Sequence, residues 1–266
     1  MKKIILFFFL FTTVFYAQVK IMSWNIENLG NSKSNEEIAF IVKTLKNYDI
    51  IAIQEVVAGN GGAKSVSIIT DELNRTGTKW DYKISNPTTS SAYKTERYAF
   101  IWKTASVKQK GKAWLEQKYN LQIDREPFFC TFEYKKKEFT LVNFHAITKS
   151  KQPETEIKYF KFLPEQYPEL NLVFLGDFNC PQSHTVFNPL RKMGYLPVLV
   201  GQKTSLKRKC KKGECLASEF DNIWYNSSKI ESKNTKILHF YESFQTLEQA
   251  RKISDHVPVT TELFFL

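Results

Sequence analysis

The sequence predicts an α/β sandwich, two β-sheets packed face to face with helices outside. Three observations carry this expectation. "DIIAIQEV" (49–56) and "NLVFLGDFN" (171–179) are nearly continuous apolar runs, as expected of strands buried on both faces. "RYAFIWK", "PFFCTFEY" and "EFTLVNFHA" crowd the middle of the chain and are rich in β-branched and aromatic residues. So many strand–strand neighbours argue against a doubly wound parallel sheet, where strands and helices alternate.

Taken in order, "QVKIMSWNIENLG" starts as a strand and is expected to break into loop at Asn25. "SNEEIAFIVKTLKN" reads as an amphipathic helix, with Ser34 and Glu37 as a capping box and Ile38, Ile41, Val42 and Leu45 on one face. A second helix follows through Val66, Ile69 and Leu73. "PETEIKYFKFL" is a third candidate, with Pro153 at its start and Pro164 at its end. "EFDNIWYN" and "VPVTTELFFL" supply the last strands.

The chain has 266 residues, is 42% hydrophobic and 24% charged, and shows no linker, repeat or low-complexity tract, so one large domain is expected. Residues 1–17 read as a signal peptide: Lys2 and Lys3 form a basic start, Ile4 to Phe15 is an apolar run short for a bilayer, and Ala17 suits a cleavage site. The catalytic domain would then be 18–266, exported to the extracellular space or a periplasm. Removing the two lysines takes the formal net charge from +11 to +9, which favours polyanionic partners. The densest cluster is "SLKRKCKKGEC" (205–215), expected as a short turn. Export permits a disulfide between Cys210 and Cys215, with Cys180 a competitor for Cys215, and Cys130 reads as a buried thiol. No spacing resembles a zinc site.

Asn25, Glu55, His145, Asp177, Asn179, Asp221, Asp255 and His256 all fall at or just past the end of an apolar strand. If those ends converge on one rim, four carboxylates need cations to offset their repulsion. Oxygen donors without a Cys/His cluster point to a hard divalent ion. Two histidines beside such an ion suit phosphoester hydrolysis, where water must lose a proton and the leaving oxygen must gain one.

The ordered motifs "WNIENL", "IQEV", "TERYAF", "REPF", "LVNFHA", "GDFN", "FDNIWY" and "ISDHVPV" resemble the endonuclease/exonuclease/phosphatase superfamily, and within it the deoxyribonuclease I-like group. The resemblance spans residues 18–266 and implies a four-layered α/β sandwich, two packed mainly antiparallel or mixed β-sheets flanked by helices. It implies a metal held or positioned by Asn25, Glu55, Asp177, Asn179 and Asp255, namely Mg²⁺ or Mn²⁺, with Ca²⁺ as a candidate structural ion. It pairs His256 with Asp221 and His145 with Glu96 as acid and base, in an order left open. It places Arg125 and Asn179 on phosphate and Tyr93 near a sugar, while Lys207 and Arg208 of the basic cluster are candidate phosphate contacts. Arg97 is expected to be structural. Val57 and Glu27 stand where groove-gripping members carry arginine, so the likeness carries the hydrolytic centre and not a minor-groove grip. The implied activity is a secreted DNA endonuclease, with RNA as a second candidate polymer, no protein partner and a monomeric state. A sphingomyelinase-like phosphodiesterase and a non-catalytic nucleic-acid-binding domain are the alternatives.

Overall fold

The computed structural model describes residues 17–90 and 95–266. The expected leader, apart from Ala17, and Tyr93 lie outside the described residues. The strands are, in order, β1 (Ala17–Leu29), β2 (Ile50–Val57), β3 (Trp80–Ile84), β4 (Glu96–Lys103), β5 (Val107–Leu115), β6 (Phe128–Tyr134) and β7 (Lys137–His145). They continue as β8 (Leu172–Asp177), β9 (Tyr195–Pro197), β10 (Leu206–Lys211), β11 (Glu214–Leu216), β12 (Asp221–Asn226), β13 (Ile230–Ile237) and β14 (Val259–Phe265). One six-stranded sheet runs β13-β14-β1-β2-β4-β3, the other β5-β6-β7-β8-β12-β9, and β10 and β11 pair apart. Each large sheet has one parallel pair, β1–β2 or β7–β8, among antiparallel neighbours.

Alternation along the strands builds four layers. In β1, Val19 and Ile21 point between the sheets, while Met22, Trp24 and Ile26 point outward. The inner faces meet through Tyr98, Phe100, Phe128, Phe132, Leu141 and Leu175. The outer face of the first sheet is covered by helices α1 (Asn35–Leu45) and α2 (Asn60–Asn74). α1 has the expected Ser34/Glu37 capping box and buries Ile38, Ile41, Val42 and Leu45. The outer face of the second sheet packs on Ile157, Phe160 and Leu163.

Two elements of the large sheets and their flanks differ from expectation, and the basic cluster expected as a turn is the β10–β11 hairpin. β1 does not stop at Asn25 but continues to Leu29 through an irregular register against β2. The segment after Pro153 is not one helix. It forms a single α-turn (Glu154–Ile157), a 3₁₀ turn (Phe160–Phe162) and a new turn (Leu163–Gln166) with Pro164 near its start. A proline lacks the N–H that a continuing helix needs, and its ring fits a first turn.

Below the rim, the inner faces exchange polar contacts. Asn143 of β7 donates across the sandwich to the carbonyls of Ile53 (3.0 Å) and Ala99 (3.3 Å). Its Oδ1 accepts from Gln54 Nε2 at 2.6 Å, and the same nitrogen reaches Ser23 Oγ. All three side chains are buried. Asn143→Leu leaves Gln54 with Ser23 alone and takes a buried donor from both carbonyls, and is expected to lower unfolding free energy by about 1–3 kcal/mol in urea titrations.

Candidate active site

Strand register assembles the site. In the second sheet His145, Asp177 and Asp221 are direct neighbours at the ends of β7, β8 and β12. Gly176 makes this fit possible. Its φ is +135°, and a Cβ there would lie 1.9 Å from the Phe144 carbonyl oxygen, so no other residue can precede Asp177 at this closeness. In the first sheet Asn25 pairs with Gln54, and Glu96 pairs with Val57. Glu55 lies between, in a register shift, with φ +60°. The bulge turns its carboxylate to the rim.

Two histidine–carboxylate pairs form, each joining one sheet to the other. His145 Nδ1 sits 3.0 and 2.9 Å from the two oxygens of Glu96. His256 Nδ1 sits 2.7 Å from Asp221 Oδ2, which also accepts from Thr204 Oγ1 at 2.6 Å. The free Nε2 atoms of both rings face one oxygen, Asp177 Oδ2, at 3.5 Å for His145 and 3.6 Å for His256. Asn25 Nδ2 donates to the same oxygen (3.2 Å) and to Glu55 Oε1 (3.0 Å). The Asn179 amide donates to Asp177 Oδ1 at 2.9 Å.

Electrostatics follow from burial and these contacts. Burial acts to lower His256, but the carboxylates of Asp221 and Asp177 outweigh it and hold the ring well above its ordinary value. Burial pushes Asp221 up to about 6, the attraction of His256 offsetting part of the effect. Burial likewise opposes protonation of His145, and Glu96 overrides it. Burial alone would raise Asp177; the two imidazoles bring it below the usual carboxylate range.

Arg125 lies in the cleft wall, and its guanidinium is largely engaged. Nε donates to the His145 carbonyl at 2.9 Å, Nη2 donates to the Ala146 carbonyl, and Nη1 faces Glu96 at 3.7 Å. It therefore fixes the backbone that carries His145. Asp255 sits 3.4 Å from Arg251 and 3.9 Å from His256 Nε2. Arg97 donates to the carbonyls of Ala58 and Ser85, as a structural residue would. Arg208 lines the same cleft of about 830 Å³, whereas Lys207 turns to the Glu214 carbonyl.

Residues 22–256 match the Endonuclease/Exonuclease/phosphatase family. The chain belongs to this family. A Deoxyribonuclease of Thioalkalivibrio sp. (strain K90mix) is 26% identical over 263 residues, covering 91% of this chain and 70% of the relative. Deoxyribonuclease-1-like 1 of Sus scrofa is 27% identical over 262 residues, covering 92% and 80%. Among solved structures, the human Nocturnin catalytic domain aligns with a TM-score of 0.67 at 15% identity, over 94% of this chain and 96% of that one, a likeness of fold. The chain is thus a family phosphodiesterase related to deoxyribonucleases.

Sequence reasoning missed the supports of the two paired histidines. Ser254 Oγ accepts from the His256 amide (2.9 Å) and donates to the Asn25 carbonyl (2.6 Å), tying "SDH" to "WNIEN". Its place two residues before His256 was a legible signal for such a local turn. Tyr98 Oη accepts from the His145 amide at 3.1 Å, and its spacing two residues after Glu96 put it on the same face. Thr204 had no signal, lying 17 residues from Asp221. Glu27 lines the cleft and is raised by burial and by the charges of Asp255 and Glu55.

Asp177, Asp221 and His256 form a buried group whose donor atoms lie within 4.8 Å of one another and which could hold a metal ion. The Asp221 oxygen is, however, already used by Thr204 and His256. Beside the group, Asn25 Oδ1 is buried with no hydrogen-bond partner, next to the carboxylates of Glu55 and Asp177. Asn25 turns its Nδ2 to those carboxylates, and an unpartnered buried amide oxygen on the same side chain fits a hard cation, since buried polar atoms otherwise find partners.

In excess EDTA, the His145 ring is expected to titrate above the ordinary imidazole value, and lower in Glu96→Gln than in the unsubstituted protein, because burial and Arg125 then oppose only the pull of Asp177. An NMR pH titration of the ring protons measures both midpoints.

Proposed function

We propose that the chain is a secreted, divalent-metal-dependent endonuclease that hydrolyses phosphodiester bonds of DNA. The observation that carries this reading is the pair of imidazoles whose free Nε2 atoms converge on Asp177 Oδ2, each backed by its own carboxylate. In-line attack of water on phosphorus needs a base on the water and an acid on the leaving oxygen. Two independently oriented rings supply both at one buried centre. Glu96 and Asp221 fix the ring tautomers by accepting from Nδ1, so each Nε2 is the atom that gives or takes a proton. Asn179 Nδ2 is spent on the Ala146 carbonyl, which holds its side chain beside Asp177.

Glu55, Asn25 and Asp177 would hold Mg²⁺ or Mn²⁺, with Asp255 at the outer side. When bound, such an ion offsets charge on the phosphoryl oxygens. The names of the deoxyribonuclease relatives support DNA as substrate. The basic net charge supports a polyanion. Lys2, Lys3 and the apolar run Ile4 to Phe15 support export.

Purified residues 18–266 are expected to nick and linearise plasmid DNA with Mg²⁺ or Mn²⁺ and to stop in EDTA. His145→Ala and His256→Ala should each lower turnover by about 100-fold or more. Near-normal turnover in either would remove its ring from the chemistry, and cleavage of sphingomyelin without cleavage of DNA would move the substrate to a lipid head group. Glu55→Gln should raise the Mg²⁺ concentration for half-maximal activity about tenfold or more, because a charged oxygen donor is lost.

A further inference from the structure

The basic cluster is not a loop. It is a two-stranded hairpin, β10–β11, with Leu206 opposite Leu216 at its base and Lys211 opposite Glu214 at its tip. The Cys210–Cys215 disulfide crosses it near the tip. Five cations, Lys207, Arg208, Lys209, Lys211 and Lys212, occupy six consecutive positions, and all but Lys207 are exposed.

The root of the hairpin packs directly against the candidate active site. Ser205 bridges to His256. Leu206 N donates to the Asp255 carbonyl (2.7 Å), Val257 N donates to the Thr204 carbonyl (2.8 Å), and Arg251 donates to the Leu206 carbonyl (3.0 Å). Thr204 also holds Asp221. The segment that carries the cations is thus clamped on both sides to the His256–Asp221 pair, and Arg208, two residues beyond its base, already lines the cleft.

We infer that this hairpin is an arm that grips the sugar–phosphate backbone of duplex DNA and feeds it to the His256 side of the cleft. The inference rests on the nuclease reading above. The register shifts between Leu206 and Lys211, and Arg208, Lys209, Lys211 and Lys212 stand exposed along the arm as a dense set of positive charges, while Lys207 is held to the Glu214 carbonyl. None of the large exposed apolar side chains, such as Leu121, Phe162 or Val200, is on the hairpin, so it lacks the apolar tip that a membrane-inserting element needs. The opposite candidate grip is missing: Val57 is uncharged and Glu27 is acidic. The arm supplies the phosphate contacts that this rim does not. The disulfide and the clamped root restrict the hairpin before DNA arrives, which reduces the ordering entropy lost on binding.

The test uses the His145→Ala background, which leaves the arm's root intact and slows cutting. Affinity for a fluorescent 20-base-pair duplex is measured at several salt concentrations with Lys209, Lys211 and Lys212 changed to Gln. A control removes three charges at the far end of the sandwich, Lys43, Lys135 and Lys136. The arm variant should flatten the slope of log affinity against log salt by about 2–3, at about 0.9 per phosphate contact, and the control should not. An unchanged slope, or equal flattening in both variants, would overturn the arm. So would arm-dependent binding to phosphatidylglycerol vesicles without arm-dependent binding to DNA. Plasmid cleavage by the unsubstituted protein reads the nuclease function separately, so an arm that fails while cleavage persists leaves that function standing.

Discussion

A single buried carboxylate organises the molecule. Asp177 is 1% exposed and sits at the seam of two sheets. A charge so far from water must be compensated by partners brought to it. One of its oxygens is approached by Asn25, His145 and His256, the other by the Asn179 amide. These partners come from both sheets and from the loops that leave them. The sandwich has to present all of those strand ends on one rim, and its register does so by making His145, Asp177 and Asp221 neighbours.

The same compensation ties the sheets together. Glu96 belongs to the first sheet and His145 to the second, while Asp221 belongs to the second and His256 precedes a strand of the first. Each pair is therefore both a chemical unit and a cross-sheet contact. Beneath them the interior changes character by steps: aromatic and aliphatic packing, then the Asn143–Gln54–Ser23 layer, then the ionisable rim. The neutral amide layer lets charged groups end a hydrophobic interior without leaving backbone carbonyls unpaired.

Much of this was legible in the sequence because a strand buried on both faces has a visible start and stop. "IQEV", "NFHA", "GDFN" and "FDNIW" carry polar residues at one end of an apolar strand that apolar packing does not explain, and Glu55, His145, Asp177 and Asp221 all reach the rim. What escaped has a common cause. Thr204, Ser254 and Tyr98 act by single hydrogen bonds to backbone or carboxylate groups distant in sequence, and a hydroxyl looks the same at a surface and in a support. Arg125 of "REPF" is expected on phosphate through the resemblance; it does line the cleft, and its backbone-holding role, with the carbonyls of His145 and Ala146 and the approach to Glu96, carried no sequence signal. The basic cluster looked like a turn because five cations conceal a strand period.

Glu55 has a consequence for engineering. It holds its carboxylate at the rim with a left-handed backbone, φ +60°, in which glycine or asparagine would be more at ease. Such conformations cost of order 1–3 kcal/mol at a non-glycine residue. Selection for heat resistance alone would relax that strain by replacing Glu55, and the hardier descendants would lose an oxygen donor from the rim. Thermal robustness and hydrolysis compete at this position, so a stabilisation campaign has to hold residue 55 fixed and find its gains elsewhere.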